Sequence, residues 1–227
     1  MRLVVVRHGH PNYVEDCLTP LGHLQARAAA ERLQEEGIRE IYSSPMGRAR
    51  QTAEYTAKRI GIPAEDIKIL DFMHEIRWGD ADGGEMFAGG HPWDIVNELM
   101  AQGYDLNDPA WPEHPYFARN LATEASRYVA RETDVFLSSL GYEREGQYYR
   151  CTRATGEQYT VALFCHGGSS SAFFAHILNM TFPSVCALFH TNFTGITVLR
   201  FPREPGALGT PSLEIANDAR HIYGIEG

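Results

Sequence analysis

Leu3-Val4-Val5-Val6-Arg7-His8-Gly9 stands at the start of the sequence. Its four apolar residues have the length and β-branched content of a buried strand. Open α/β sheets put their chemistry beyond the carboxyl ends of the strands, which is where Arg7 and His8 would fall. Arg7 can hold an anion, and His8 can bind or attack one. Gly9 is expected to let the backbone turn sharply beside them. The tripeptide is weak on its own, so its meaning rests on partners elsewhere in the chain.

Working outward, strands and helices alternate. Thr19 and Pro20 form a cap-plus-proline helix start, and that helix is expected to run to about Glu36, before Gly37. Ile41 to Ser43 reads as a second strand. Ser44-Pro45 repeats the helix start, and Ala49, Thr52, Ala53, Thr56, Ala57 and Ile60 follow at helical spacing. Gly61 and Pro63 close that helix, and Ile67 to Leu70 reads as a third strand. Later come a long helix from about Arg119 to Leu140, with Ala122, Ala125, Val129, Phe136 and Leu140 inward, and a hairpin from Tyr142 to Cys151. A strong strand from Tyr159 to Cys165 turns at His166-Gly167-Gly168-Ser169 into a helix reaching about Leu178. A short helix opens at Pro183, and strands cover Gly195 to Phe201 and Leu213 to Ala216. The tail, residues 217–227, either folds back over the sheet or frays. This pattern predicts a three-layer α/β/α sandwich around a mostly parallel sheet.

Between Asp71 and about Phe117 the alternation fails. Gly, Pro and aromatic residues dominate, and only Pro92 to Gln102 looks helical. Long irregular segments of this kind are usually lids or binding loops, so residues 72–118 are expected to be an insertion or lid on a single domain spanning 1–227. From Gly84 to Ala118 it carries Glu85, Asp94, Glu98, Asp105, Asp108 and Glu113 with no Lys or Arg. Its aromatic residues suit a small core or a ligand site equally well.

The formal net charge of −9 argues against nucleic acid or an anionic membrane as partner. A local basic pocket for a small anion remains compatible with it. Cys17, Cys151, Cys165 and Cys186 form no Cys-x-x-Cys pair, which suits reduced thiols in a cytoplasmic protein. Cys165, although beside His166, reads as a packing residue at a strand end. No stretch approaches a transmembrane helix in length, and the first apolar run is too short for a signal peptide. His10, His74, His91 and His190 lack the short spacing of a zinc site, so no metal is expected.

Four segments then fall at one edge of the sheet. The first strand ends in Arg7-His8. The second leads into a helix whose first turns carry Arg48. The third leads to His74-Glu75, and the strong later strand ends in His166-Gly167-Gly168. Two arginines, two histidines, a carboxylate and two helix N-termini are expected to face one cleft. Helix N-termini attract anions, and guanidinium forks match phosphate oxygens. The chemistry suggested is phosphoryl transfer. A nucleophilic histidine must be neutral, and neighbouring cations push its pKa that way.

Arg7-His8-Gly9, Leu18-Thr19-Pro20-Leu21-Gly22 with Gln25-Ala26, Ser43-Ser44-Pro45-Met46-Gly47-Arg48-Ala49-Arg50-Gln51-Thr52-Ala53, Glu75 with Gly79 and Gly83, and His166-Gly167-Gly168 resemble the histidine phosphatase superfamily, which has the phosphoglycerate-mutase-like fold. The blocks run in that family's order and cover the chain except for the insertion. Asn217-Asp218 and His221 look like its common ending. The resemblance implies that His8 is the nucleophile and takes the phosphoryl group as phosphohistidine. It implies that Arg7, Arg48 and His166 bind the phosphate oxygens and the charge they develop. Glu75 would protonate the leaving oxygen and then activate water. Gly167, His10, Tyr13 and Trp78 are further candidates for substrate contact. The implied activity is a metal-independent histidine acid phosphatase-type phosphomonoesterase with no cofactor, acting on a small organic phosphate, with a homodimer as an open possibility.

The sequence departs from the family pattern in two places. His10-Pro11 follow Gly9, and Val14 stands at the usual Asn position. One phosphate contact is therefore lost, or supplied by Asn12, Tyr13 or Asn192. The paired arginines that mutases carry between the acid and the second histidine are missing; Arg119-Asn120 is the nearest segment. Asp80, Asp82 and Glu85 are alternatives to Glu75, which is preferred on the family spacing. The alternative activities are a phosphoglycerate-type mutase, a phosphoprotein phosphatase and a non-catalytic phosphate-binding regulator. A mutase needs a grip on a second anion, which the acidic insertion does not offer. This favours hydrolysis of a monoester with a neutral, apolar or aromatic alcohol part.

Overall fold

The computed structural model describes residues 1–225. β1 (Arg2–Arg7) is buried from Leu3 to Val6. Leu3 and Val5 enter one apolar cluster, and Val4 and Val6 enter the other. Alternate side chains thus feed two cores, as expected of a central strand covered on both faces.

A short antiparallel pair follows, β2 (Pro11–Asn12) and β3 (Cys17–Leu18). Then come α1 (Pro20–Leu33), β4 (Ile38–Ser43), α2 (Gly47–Ile60) and β5 (Lys68–Ile69). The Thr19 hydroxyl accepts from Gly22 N at the start of α1, as the cap-plus-proline signal predicts. That helix ends at Leu33, three residues short of Glu36, and Gly37 turns at φ +66° beyond it. Ser44 does not cap α2, whose cap residue Met46 supplies no side-chain bond. Gly61 closes α2 in the left-handed conformation, with φ +79°. β5 is an exposed edge of two residues, because only Lys68 and Ile69 pair with β4.

From Asp71 the chain forms 3-10 turns at Asp71–Met73, Phe87–Gly90 and Trp111–Glu113 around one helix, α3 (Pro92–Ala101). Trp111 and Phe117 are buried and pack edge to face, with Phe182 beside Trp111. Part of the expected insertion is therefore core. α4 (Leu121–Ser139) starts after Asn120, whose side chain accepts from Ala122 N. The hairpin β6 (Tyr142–Glu145) and β7 (Tyr148–Cys151) turns through Gly146 at φ +61°. β8 (Thr160–Cys165), buried throughout, leads into α5 (Gly167–Ile177), α6 (Phe182–Leu188), β9 (Ile196–Arg200), β10 (Leu208–Gly209) and β11 (Ser212–Asp218). Within the expected tail, β11 extends to Asp218 and a 3-10 turn covers Arg220–Ile222; residues 226–227 lie outside the described residues.

The main sheet runs β11-β9-β1-β8-β4-β5. β1, β8, β4 and β5 are parallel; β9 runs against them, and β11, antiparallel to β9, runs in their direction again. Leu33 of α1 and Ala53 and Ala57 of α2 cover one face. Val129 and Phe136 of α4 and Phe173 of α5 cover the other. The fold is thus a three-layer α/β/α sandwich with a mostly parallel sheet. Among the described residues no single helix is long and apolar enough to cross a membrane.

Candidate active site

Parallel pairing decides which residues meet. Arg7 is level with Cys165, and Ser43 with Phe164. His8 N donates to Cys165 O at 3.0 Å, and Ser44 N donates to Phe164 O at 2.9 Å. The carboxyl ends of β1, β4 and β8 therefore present His8, Ser44 and His166 side by side. The His8 and His166 rings lie 5.0 Å apart.

His8 is 1 % exposed. Its Nδ1 lies 2.7 Å from Gly9 O, an acceptor, so Nδ1 carries the ring proton. Nε2 then holds a lone pair and accepts from Arg48 Nε at 3.3 Å. Burial pushes the His8 pKa down to about 3, with Arg7 and Arg48 acting in the same direction. The ring is neutral mainly because it is dry; the neighbouring cations are a smaller cause. His166 is likewise held well below the ordinary histidine range, first by burial and then by His8 and the two arginines. Its Nε2 meets Ser44 Oγ at 2.7 Å. Its Nδ1 and Arg7 Nε are buried without a partner among the described residues. Buried polar atoms are rarely left so, and both nitrogens suit an anion.

Arg7 Nη1 donates to Thr191 O at 2.6 Å, and its guanidinium lies over Phe193 at 4.3 Å. Arg48 is 3 % exposed and ion-paired to Asp16 through Nη1 at 2.5 Å. The other Asp16 oxygen accepts from Gly47 N, the first residue of α2, at 2.7 Å. The backbone there is tight: a Cβ on Gly47 would lie 2.2 Å from Asp16 O.

Glu75 Oε1 accepts from three backbone N–H groups, Ile76 at 3.0 Å, Gly168 at 2.9 Å and Ser169 at 3.1 Å. Burial raises its pKa above the usual carboxylate value despite those bonds and the arginines. Asp80 instead closes its own loop, accepting from Asp82 N and pairing with Arg119. Asp82 pairs with Arg119 as well, and Glu85 is exposed. Both helix N-termini that were expected to receive a bound anion hold carboxylates of the chain itself, Asp16 on α2 and Glu75 on α5.

Gly9 is not at a positive-φ turn. Its role is close approach, since a Cβ would sit 2.7 Å from Gly22 O. His10 points to Thr19, with Nδ1 2.9 Å from Oγ1, and its ring edge meets Phe193. Val14 is 96 % exposed. Asn12 Oδ1 accepts from Val14 N and Glu15 N within its own turn, and Asn192 N donates to Asn217 Oδ1. Among the three candidates for the missing contact, Tyr13 lines the cavity at the site, with its ring 5.3 Å from the Arg48 guanidinium. Asn120 caps α4 and also donates to Gly90 O.

A cavity of about 290 Å³ opens from these groups. Arg7, Glu75 and Gly167 line its inner end; Tyr13, Trp78, Trp93 and Phe189 line its mouth. Larger grooves, such as one along α1 beside Leu24 and Ile225, contain no such cluster. Cys165 is buried, which raises its thiol pKa strongly, and it serves packing. Sequence reasoning missed Asp16, Ser44, Thr191 and Phe193. Only Ser44 carried a signal, its place at the end of β4.

Residues 3–103 match the family model described as histidine phosphatase superfamily (branch 1). Among solved structures, a phosphoserine phosphatase variant from Entamoeba histolytica in complex with phosphoserine is 23% identical, with a TM-score of 0.64, over 97% of this chain and 98% of that one. A mycobacterial glucosyl-3-phosphoglycerate phosphatase is 22% identical, with a TM-score of 0.65, over 95% and 98%. Bacillus stearothermophilus YhfR is 19% identical, with a TM-score of 0.62, over 99% of both chains. At these identities the likeness is one of fold. No curated protein matches the sequence.

Proposed function

We propose that this chain, whose residues 3–103 match the histidine phosphatase superfamily model, hydrolyses small organic phosphomonoesters through a phosphohistidine on His8. One observation carries the reading. The His8 ring is held neutral with its Nδ1 proton on Gly9 O, so that the Nε2 lone pair faces Arg48 beside His166.

In the first step His8 Nε2 forms the N–P bond as the ester P–O bond breaks. The Glu75 carboxyl gives its proton to the departing alkoxide. In the second step a water oxygen bonds to phosphorus and the N–P bond breaks. The water proton goes to Glu75, which returns to its starting state, and the electron pair returns to Nε2. Arg7, Arg48 and the buried Nδ1 of His166 face the phosphoryl oxygens, where preorganised donors act on developing charge. Glu75 suits both proton transfers. Its Oε1 is fixed by backbone donors, Oε2 is left for the proton, and burial keeps the acid form accessible.

The two similar phosphatases, named for phosphoserine and for glucosyl-3-phosphoglycerate, agree with a small phosphate ester as substrate. A screen of phosphomonoesters, run beside His8→Ala, tests the proposal. Phosphate release by the native chain and none by the variant is expected. A native chain that interconverts phosphoglycerates faster than it releases phosphate would instead be a mutase.

A further inference from the structure

We infer that the mouth of the cavity selects an uncharged, aromatic alcohol half, such as an arylalkyl group, and disfavours alcohols bearing a carboxylate or second phosphate. The inference rests on the proposed hydrolysis at His8 and deepens it.

The two ends of the cavity differ in chemistry. The inner end offers Arg7 and Gly167, with Arg48 and His166 behind them. These groups are needed for the phosphoryl oxygens. The mouth is walled by Tyr13, Trp78, Trp93 and Phe189. Trp78 is 40 % and Tyr13 65 % exposed, so both rings present open surface to an incoming group. His91 fixes the indoles: its ring meets Trp78 at 5.1 Å and 80°, and Trp93 at 5.4 Å and 40°. Rigid aromatic walls on a concave site favour a flat apolar guest.

Charge works against anionic guests. Among the described residues no Lys lines the cavity, and Arg7 is its single arginine. Any positive charge on His91 faces the Asp94 carboxylate at 2.8 Å. His190 and Thr191 complete the rim, and Thr191 O is occupied by Arg7. Arg77 does not line the cavity, and Arg119 is taken by Asp80 and Asp82. The six acids between Gly84 and Ala118 add a negative field. An anionic alcohol half would find no fixed partner there and would be repelled.

The test compares kcat/KM for 2-phenylethyl phosphate, glycerol phosphate, phosphocholine, phosphoserine and 3-phosphoglycerate, with p-nitrophenyl phosphate as a reactive control. The first has an ordinary alkyl leaving group, so any preference reflects binding and not leaving-group acidity. It should exceed glycerol phosphate by about tenfold or more, and the two carboxylate esters by more than that. Trp78→Ala should reduce the 2-phenylethyl to glycerol ratio by about tenfold, and Trp93→Leu should act in the same direction. Phe87→Ala, on the same segment but stacked on Tyr116, should leave the ratio unchanged. Equal or better turnover of phosphoserine, 3-phosphoglycerate or phosphocholine would overturn the inference and leave hydrolysis at His8 standing. No turnover of any ester, p-nitrophenyl phosphate included, would overturn the proposed function itself.

Discussion

Asp16 clamps Arg48 against the start of α2, one carboxylate oxygen on the guanidinium and the other on Gly47 N. Asp16 sits at φ +51° to do so. Arg48 in turn directs Nε at His8 Nε2. The aspartate cannot bind phosphate, so its effect must pass through Arg48. Asp16→Ala should lower kcat by about tenfold while KM stays level or falls, because a repelling charge has gone. Asp16→Asn, which can still accept from Gly47 N, should recover part of the rate. The ion pair is partly exposed, so the loss of stability should be about 1 kcal/mol or less, seen as a Tm lower by about 2–4 °C at most.

Gly168 is the point where α5 touches Glu75. A Cβ there would lie 2.4 Å from Ile76 Cγ1 and 2.6 Å from Glu75 Oε1. Gly168→Ala should push the carboxylate out of line, cutting kcat by about a hundredfold, while overpacking costs about 1–3 kcal/mol. Denaturant midpoints and steady-state rates on the same preparation separate the two effects.

The pH dependence follows from burial. The folded pKa of His8 is about 3, below the ordinary 6.5. Between those values the unfolded chain binds a proton that the folded chain does not, so stability falls as pH drops from 6.5 toward 3. His8→Gln should lose less stability than the native chain between about pH 7 and about pH 4, as read by urea midpoints. The same shift keeps the nucleophile neutral in mild acid.

Glu75 is shifted upward by burial, so its acid form persists above the usual carboxylate range. Activity on alkyl esters should fall on the alkaline side as that proton is lost. Glu75→Gln should remove this limb and most turnover of alkyl esters, by about 10²–10⁴-fold. It should slow phosphoryl transfer from p-nitrophenyl phosphate far less, since that leaving group needs no proton. Pre-steady-state bursts across pH would distinguish these cases.

Arg7, His8 and His166 were legible in the sequence because each follows an apolar strand, and parallel strands bring such ends together. Arg48 and Glu75 needed the family spacing as well, since nothing local separates Glu75 from Asp80 or Asp82. Asp16, Thr191 and Phe193 were not legible. They reach the site only because the loop after β1 and the chain after α6 fold over it, which no periodicity reports. Ser44 looked like a helix cap, yet its hydroxyl is used by His166 and Met46 N. Gly9 looked like a turn, but its own close approach to Gly22 of α1 is what demands it. The aromatic residues of the insertion had two fair readings, and they divide between them: Trp111 and Phe117 are core, and Trp78 and Trp93 line the cavity.

The central claim is tested most directly by rapid acid-free quenching of the native chain during turnover of p-nitrophenyl phosphate, followed by peptide mapping of the covalent phosphate. One acid-labile, alkali-stable phosphoryl group on His8, absent from His8→Ala, is the expected result. Phosphate on another residue, or a His8→Ala chain that still turns over, would contradict it.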